Sequence, residues 1–345
     1  MNCNTDVERV TSEWDFFTAP DPTHGNVDYV SREEAISSGL ASVGNDTVVV
    51  MAVDDKNNVP IGGNRKSYAS FTNTETTTYT IFRVRISTRK KYTGGLFIMD
   101  ANAMPSVLLL PSFSPSANDI HSTGCATWPA FWTVTPENWP TNGEIDIVEG
   151  VNNDSRNQMT LHTRDGCLLD AGAAPSRGRK QAFTGKVLST TCNAFANSNS
   201  GCGVASTREK SFGAGIESQG GAVFAMLWDQ VGIRVWNFPR SEVPGDLDAG
   251  TPNPSTWPVP DAFWSTTTCP VDEFFSEHVI VINTTLCGYV YPSFLARLFH
   301  SRSFSDFAGA LYPSSGCPAT CAEHVADPNN FKDAKWKINY VAVYN

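Results

Sequence analysis

The sequence carries little charge. Only 17% of its 345 residues are Asp, Glu, Lys or Arg, against roughly 25% in an average soluble protein, and this excludes coiled coils and long solvated helices. No apolar run is long enough to span a bilayer, so an integral membrane protein is excluded. Helical periodicity, internal repeats and a dividing linker are all lacking. One domain is therefore expected, although 345 residues would allow about two. Positive charge is short: 25 Lys and Arg face 35 Asp and Glu, a formal net charge of −10. A diffuse acidic balance repels phosphate backbones, which excludes nucleic acid as a partner. Paired CxxC motifs at zinc-ribbon spacing are missing, and no metal or other cofactor is expected. The first residues, MNCNTDVERV, lack the apolar core of a signal peptide.

Nine cysteines are present, many for a reducing compartment. They read as a disulfide framework and hence as secretion, with eight paired and Cys3 left over. Free buried thiols are the competing reading. The sequons Asn45-Asp-Thr47, Asn153-Asp-Ser155 and Asn283-Thr-Thr285 agree with secretion, weakly, since such triplets recur by chance. The polar N-terminus disagrees: either the protein is cytosolic, or its true start lies elsewhere.

Short runs of β-branched and aromatic residues recur, separated by Gly, Pro, Asn and Ser clusters. They are Thr47–Val53, Phe97–Met99, Glu144–Val148, Ala222–Trp228, Ile233–Trp236, His278–Asn283 and Trp336–Tyr344. The last alternates, with Trp336, Ile338, Tyr340 and Ala342 expected on one face. Many short strands without intervening helices imply an all-β sandwich or jelly roll.

The segment Trp139-Pro-Thr-Asn-Gly-Glu-Ile-Asp-Ile-Val-Glu-Gly150 carries the chemistry. Alternate strand residues share a face, so Glu144 and Asp146 point one way and Ile145 and Ile147 the other. Strict alternation would drive Glu149 into the core, where an ionised carboxylate is very costly. A one-residue bulge near Ile147–Val148 resets the phase and aligns three carboxyls on one face. Their repulsion keeps one acid protonated while another is ionised. Glycoside hydrolysis needs that division: a carboxylate that attacks and a carboxylic acid that protonates the leaving oxygen. A solvated acidic edge strand is the competing reading. The nearby Trp128, Trp132 and Trp139 suggest a saccharide cleft, with core packing as the alternative, evenly weighed for Trp128. In Met159-Thr-Leu-His-Thr163, His162 can bond an acid or a substrate hydroxyl, or serve structure alone.

The motifs Gly124-Cys-Ala-Thr-Trp-Pro-Ala-Phe-Trp132, Asn138-Trp-Pro-Thr-Asn-Gly-Glu-Ile-Asp-Ile-Val-Glu-Gly-Val-Asn152 and Leu161-His-Thr163 resemble glycoside hydrolase family 16. Within it, the chain is similar to fungal secreted endo-β-1,3(4)-glucanases of the laminarinase type. The likeness reaches back to Trp14–Gly25 and Gly39–Val43, and forward through Ile233–Arg240, Asn283–Gly288 and Trp336–Asn339. It implies a concanavalin-like β-jelly-roll sandwich whose curved sheet forms an open cleft for β-glucan, in a monomer. It implies a retaining mechanism with Glu144 as nucleophile, Glu149 as acid/base, Asp146 tuning the nucleophile and His162 assisting. Trp132, Trp139 and Asn142 would bind substrate. A transglycosylase on the same machinery and a non-catalytic glucan-binding sandwich are the alternatives. A binding module, however, has no reason to carry the electrostatic cost of three aligned acids.

Three segments depart from that pattern: about 68–83, 106–122 and 289–305, each 16 or 17 residues long. Insertions are usually polar loop tips, whereas the second and third are apolar or basic. They read as retained in-frame introns, with lineage-specific loops as the alternative. The domain is then 12–345 with these segments set aside, preceded by a non-matching stretch 1–11.

Overall fold

The computed structural model of the chain describes residues 13–43, 48–61, 82–106, 124–173, 182–288 and 311–345. Cys3, Asn45 and the three departing segments lie outside them, apart from the edge positions 82, 83 and 106.

The recurrent apolar runs form seventeen strands among the described residues. In chain order these are β1 (Trp14–Phe16), β2 (Asp28–Tyr29), β3 (Ala41–Val43), β4 (Val49–Ala52), β5 (Phe82–Arg83), β6 (Ile86–Thr88), β7 (Gly95–Ala103), β8 (Thr127–Val134) and β9 (Glu144–Glu149). There follow β10 (Gln158–His162), β11 (Lys186–Val187), β12 (Cys202–Ala205), β13 (Ala222–Asp229), β14 (Gly232–Pro239), β15 (Ala262–Ser265), β16 (Val279–Leu286) and β17 (Lys335–Tyr344). An eight-stranded antiparallel sheet runs β1-β6-β16-β8-β9-β10-β12-β11, and a seven-stranded one runs β15-β14-β13-β7-β17-β4-β3. Strands β2 and β5 pair in parallel beside them.

The sheets face each other across a core that alternation selects. Phe131, Ile145, Met159, Leu161, Ile280 and Ile282 come from the first sheet, and Phe97, Met99, Phe224, Met226, Trp336 and Ile338 from the second. The expected sandwich is the observed one. No helix among the described residues is long and apolar enough to cross a membrane.

Strand β17 corrects the expected alternation. Its register slips after Ile338, where Tyr340 rather than Asn339 meets Asp100 of β7. The extra residue reverses the phase. Trp336 and Ile338 point into the main core and Val341 and Val343 pack against it, while Tyr340 packs on a separate outer cluster with Trp236 and Phe238.

Eight cysteines pair as expected: Cys125–Cys317, Cys167–Cys269, Cys192–Cys202 and Cys287–Cys321. One sequon is corrected. Asn283 is buried in β16, where its side chain bonds Trp132, Tyr29 and Thr285. It offers no free amide to a glycosyltransferase in the folded protein, whereas Asn153 is exposed.

Candidate active site

The outward face of the eight-stranded sheet is the floor of an open trough. Alternate residues contribute from two strands, Trp128, Ala130, Trp132 and Val134 from β8 and Asn283 and Thr285 from β16, and β10 adds Gln158 and His162. Glu144, Asp146 and Glu149 of β9 lie between them. Strand order therefore gives the trough two arms, one over β8 and β16 and one over β10, with the acids at the junction.

The expected bulge is present. Phe131 pairs with Val148 and Trp132 with Asp146, so Ile147 has no partner on β8. Both Ile147 and Val148 turn inward and are fully buried, which returns Glu149 to the acidic face. A bulge leaves backbone polar groups without ladder partners. Asn157, itself fully buried, supplies them: its Oδ1 accepts from Glu149 N at 3.0 Å and its Nδ2 donates to Ile147 O at 2.8 Å. Replacing Asn157 by Ala orphans both groups and is expected to cost about 3 kcal/mol in chemical denaturation. If Asn157→Ala unfolds at the parental denaturant midpoint, Asn157 is not the clamp.

At the other end of the strand, Gly143 introduces Glu144 with φ +84°, and a Cβ there would meet the Phe275 ring at 2.3 Å. Only glycine suits both the backbone and the space. Asn142 stands just before it, and its carbonyl accepts from His278 Nε2 at 2.7 Å. Burial pushes His278 down to about 4, so its ring is neutral. With Nε2 donating, Nδ1 accepts from Thr133 Oγ1 at 2.9 Å.

Burial is the first cause of every shift in the acid row. It pushes Glu144 up to about 8, helped by the charge of Glu149 and opposed by the Trp139 indole and Arg85. It pushes Glu149 up to about 7, opposed by the Trp128 indole. Asp146 rises well above the usual carboxylate range, through burial and then the charges of Glu144 and Glu149. Each glutamate receives one indole donor: Trp139 Nε1 donates to Glu144 Oε2 at 2.8 Å, and Trp128 Nε1 donates to Glu149 Oε1 at 3.1 Å. Burial also pushes His162 down to about 4. Its Nδ1 meets Asn199 Oδ1 at 3.0 Å, which assigns the ring proton to Nδ1. The bare Nε2 then faces Asp146 Oδ2 at 3.4 Å, where a protonated Asp146 can donate to it.

The four acid and histidine positions singled out from sequence thus come together. Trp139 is 44% exposed, enough to offer a face. Trp132 lines the trough, donates to Asn283 Oδ1 at 2.8 Å and has Arg85 over its ring. Arg85 lies between two aromatics, its guanidinium carbon 4.5 Å from the Phe17 centroid and 5.1 Å from that of Trp132. Trp128 answers both alternatives at once: it is 8% exposed, yet it lines the trough and holds Glu149. Asn142 does not join the residues lining the trough. Its observed contribution is the carbonyl that seats His278. Sequence reasoning missed Asn157, Asn199 and Arg85: Asn199 and Arg85 act across long chain separations, and Asn157 acts from the loop just after the strand, where no local pattern marks it.

Two groups of described residues could hold a metal ion by proximity: Cys167, Cys192 and Cys269, and Glu144, Asp146 and His162. Disulfides consume the first. The second is part of the acid row itself.

The family model for XgeA-like catalytic GH16 domains matches residues 14–112 and 117–344. An endo-1,3(4)-beta-glucanase of Arthroderma benhamiae is 35% identical over 338 residues, covering 95% of this chain and 61% of that protein. An endo-1,3(4)-beta-glucanase of Emericella nidulans is 32% identical over 347 residues, covering 98% of this chain and 46% of that protein. The chain thus spans roughly half of the length of the curated relatives it matches. The structure of laminarinase 16A from Phanerochaete chrysosporium with beta-glucans in both donor and acceptor sites superposes with a TM-score of 0.78 at 30% identity, covering 98% of this chain and 96% of that one. An elongating GH family 16 beta-1,3-glucosyltransferase superposes with a TM-score of 0.77 at 32% identity, covering 98% and 97% of the two chains.

Proposed function

The chain belongs to glycoside hydrolase family 16, in its XgeA-like catalytic group, and from that premise we propose that it cuts β-1,3 or mixed β-1,3/1,4 glucans internally, with retention of anomeric configuration. The observation that carries the reading is the row of three acids, Asp146 buried and Glu144 and Glu149 half-buried, at the junction of an open trough flanked by tryptophans.

Glu144 attacks the anomeric carbon while Glu149 gives its proton to the departing glycosidic oxygen. The bond from that carbon to the oxygen breaks as the bond to the Glu144 carboxylate forms. Glu149, now ionised, takes a proton from water, the water oxygen replaces Glu144 on the same carbon, and both acids return to their starting states. Asp146 keeps its proton and, within 4.8 Å of Glu144, favours charge there. Glu144 and Glu149 titrate as a pair that shares one proton near neutrality. Substrate settles its place, because a glycosidic oxygen can accept a hydrogen bond only from protonated Glu149. The indole on Glu144 Oε2 fixes that carboxylate and leaves its other oxygen for attack.

Four disulfides support secretion, since such bonds persist in oxidising compartments. The likeness to an elongating glucosyltransferase supports a second reading, in which a sugar replaces water in the second step. Incubation with laminarin, lichenan and xyloglucan, with products resolved by length, separates the readings. Short oligosaccharides from laminarin or lichenan support hydrolysis, and products longer than the substrate support transfer. Retention on glucan without any product would make the chain a binding protein.

Trp139 is expected to do two things at once. Trp139→Ala should weaken laminari-oligosaccharide binding about tenfold by isothermal titration, about 1.4 kcal/mol at 25 °C, with the melting temperature nearly unchanged. Trp139→Phe keeps a ring but removes the donor to Glu144, so it should retain more affinity than turnover. Parental affinity in the Ala variant would leave Trp139 with its hydrogen bond to Glu144 and no stacking role.

A further inference from the structure

We infer that Phe195 is a sugar-stacking platform on the β10 arm of the trough, binding a β-glucosyl ring on the opposite side of the scissile bond from Trp132. The inference rests on the β-glucan reading and extends it to a residue outside the acid row and its tryptophans.

Phe195 is the most exposed large apolar side chain among the described residues, at 71%. It lines the same trough as the acids. A phenyl ring left in water is unfavourable, and an isolated one on a floppy loop would fold down against its neighbours. This loop holds it out. Cys192 and Cys202 are bonded across ten residues, and both are fully buried. At the entrance, Ala194 N donates to Thr163 O and Phe195 N donates to Asn193 Oδ1, both at 2.9 Å. Beyond the ring, Asn197, Ser198 and Asn199 have φ of 48°, 56° and 63°, a run of left-handed residues that needs a well-specified environment. Asn199 in turn holds the His162 ring. Gly201 closes the turn, and a Cβ there would meet Leu161 O at 2.6 Å and His162 Cε1 at 2.9 Å. The loop is thereby locked to the end of β10, beside the acids.

Position decides what the ring meets. The sheet order β8-β9-β10-β12 places the acids between Trp132 and the loop. A glucan laid across the acids with one end over Trp132 must pass its other end over residues 194–200. The flat apolar face of a β-glucosyl ring matches a phenyl face, and Ser198 and Ser200 in the same arm offer partners for its hydroxyls. The platform is already in place before the substrate arrives, so little ordering cost is left for binding.

The test compares laminariheptaose with laminaritriose, using the parent, Phe195→Ala, Phe195→Trp, and Leu188→Ala as an exposed apolar control outside the trough. Phe195→Ala is expected to raise the KM for laminariheptaose about tenfold, with kcat within about twofold and the effect on laminaritriose much smaller. Phe195→Trp should restore the parental KM, and Leu188→Ala should match the parent throughout. An unchanged heptaose KM in Phe195→Ala, beside an active parent, overturns the platform and leaves the glucanase reading intact. A parent that neither cuts nor elongates laminarin overturns both. Equal losses on the two oligosaccharides would mean that the loop acts through Asn199 and His162, and would also overturn the platform.

Discussion

Glu144→Gln is expected to abolish turnover on laminarin while making the protein harder to melt. The loss should be on the order of 10⁴-fold or more, because removing the proposed covalent nucleophile leaves only binding and positioning. Glucan binding should survive, since Gln keeps the shape and can still accept from Trp139. The gain in stability follows from burial. Glu144 is pushed up to about 8 in the folded protein from an ordinary value of 4.5. Between those values the folded state holds a proton that the unfolded chain has released, so stability falls as pH rises. Gln never ionises and escapes that loss. The melting temperature of Glu144→Gln should match the parent at pH 4 and exceed it by about 3 °C at pH 8. Calorimetry at the two pH values checks the sign. A variant that is less stable at pH 8, or one that turns over laminarin at near-parental rate, would remove Glu144 from the proposed role.

Glu149→Gln should fail differently. Its kcat on glucan should fall by about 10²–10⁴, the range for a positioned proton donor. The deficit should shrink on an aryl β-glucan glycoside, whose phenolate leaves without protonation. Glu149 is pushed up to about 7, and the parent loses the acid form as pH rises through that value. The parental kcat should therefore decline on the alkaline side, whereas the leaving step of Glu149→Gln should show no such limb. Equal deficits on glucan and aryl glycoside would show that Glu149 is not the proton donor. Together the two variants distinguish the roles, since only the Glu144 change should be insensitive to the leaving group.

Much of this site was legible because it sits on one short strand. Period-two alternation placed Glu144 and Asp146 together, and the cost of a buried Glu149 demanded a bulge where one exists, at Ile147. The same logic failed in β17, where nothing costly marked Asn339 as an extra residue: Tyr340 is tolerable on either face. Burial of a charge announces a break in alternation, and burial of an aromatic does not. The supporting contacts were illegible for another reason. Asn157 reaches back to Glu149 and Ile147, and Asn199 reaches across to His162. Asn is common in loops for its turn chemistry, so neither position stands out until the fold brings its partner near. The Asn283 sequon misled because a three-residue pattern carries no information on whether its strand is interior.

The place of β17 in its sheet has a consequence for the order of events during synthesis. This strand lies between β7 and β4, so it alone joins β3 and β4 to the rest of the seven-stranded sheet. Strands β3 and β4 leave the ribosome early, and their partner emerges nearly three hundred residues later. At about 5–20 residues per second that is a delay of roughly 15 to 60 s. Through that interval β4, and β7 once it has emerged, present unpaired edges, the kind that capture other chains. Nascent protein should therefore depend on a chaperone until residue 344 has cleared the tunnel, and a stop codon before Lys335 should yield an aggregate rather than a shortened enzyme.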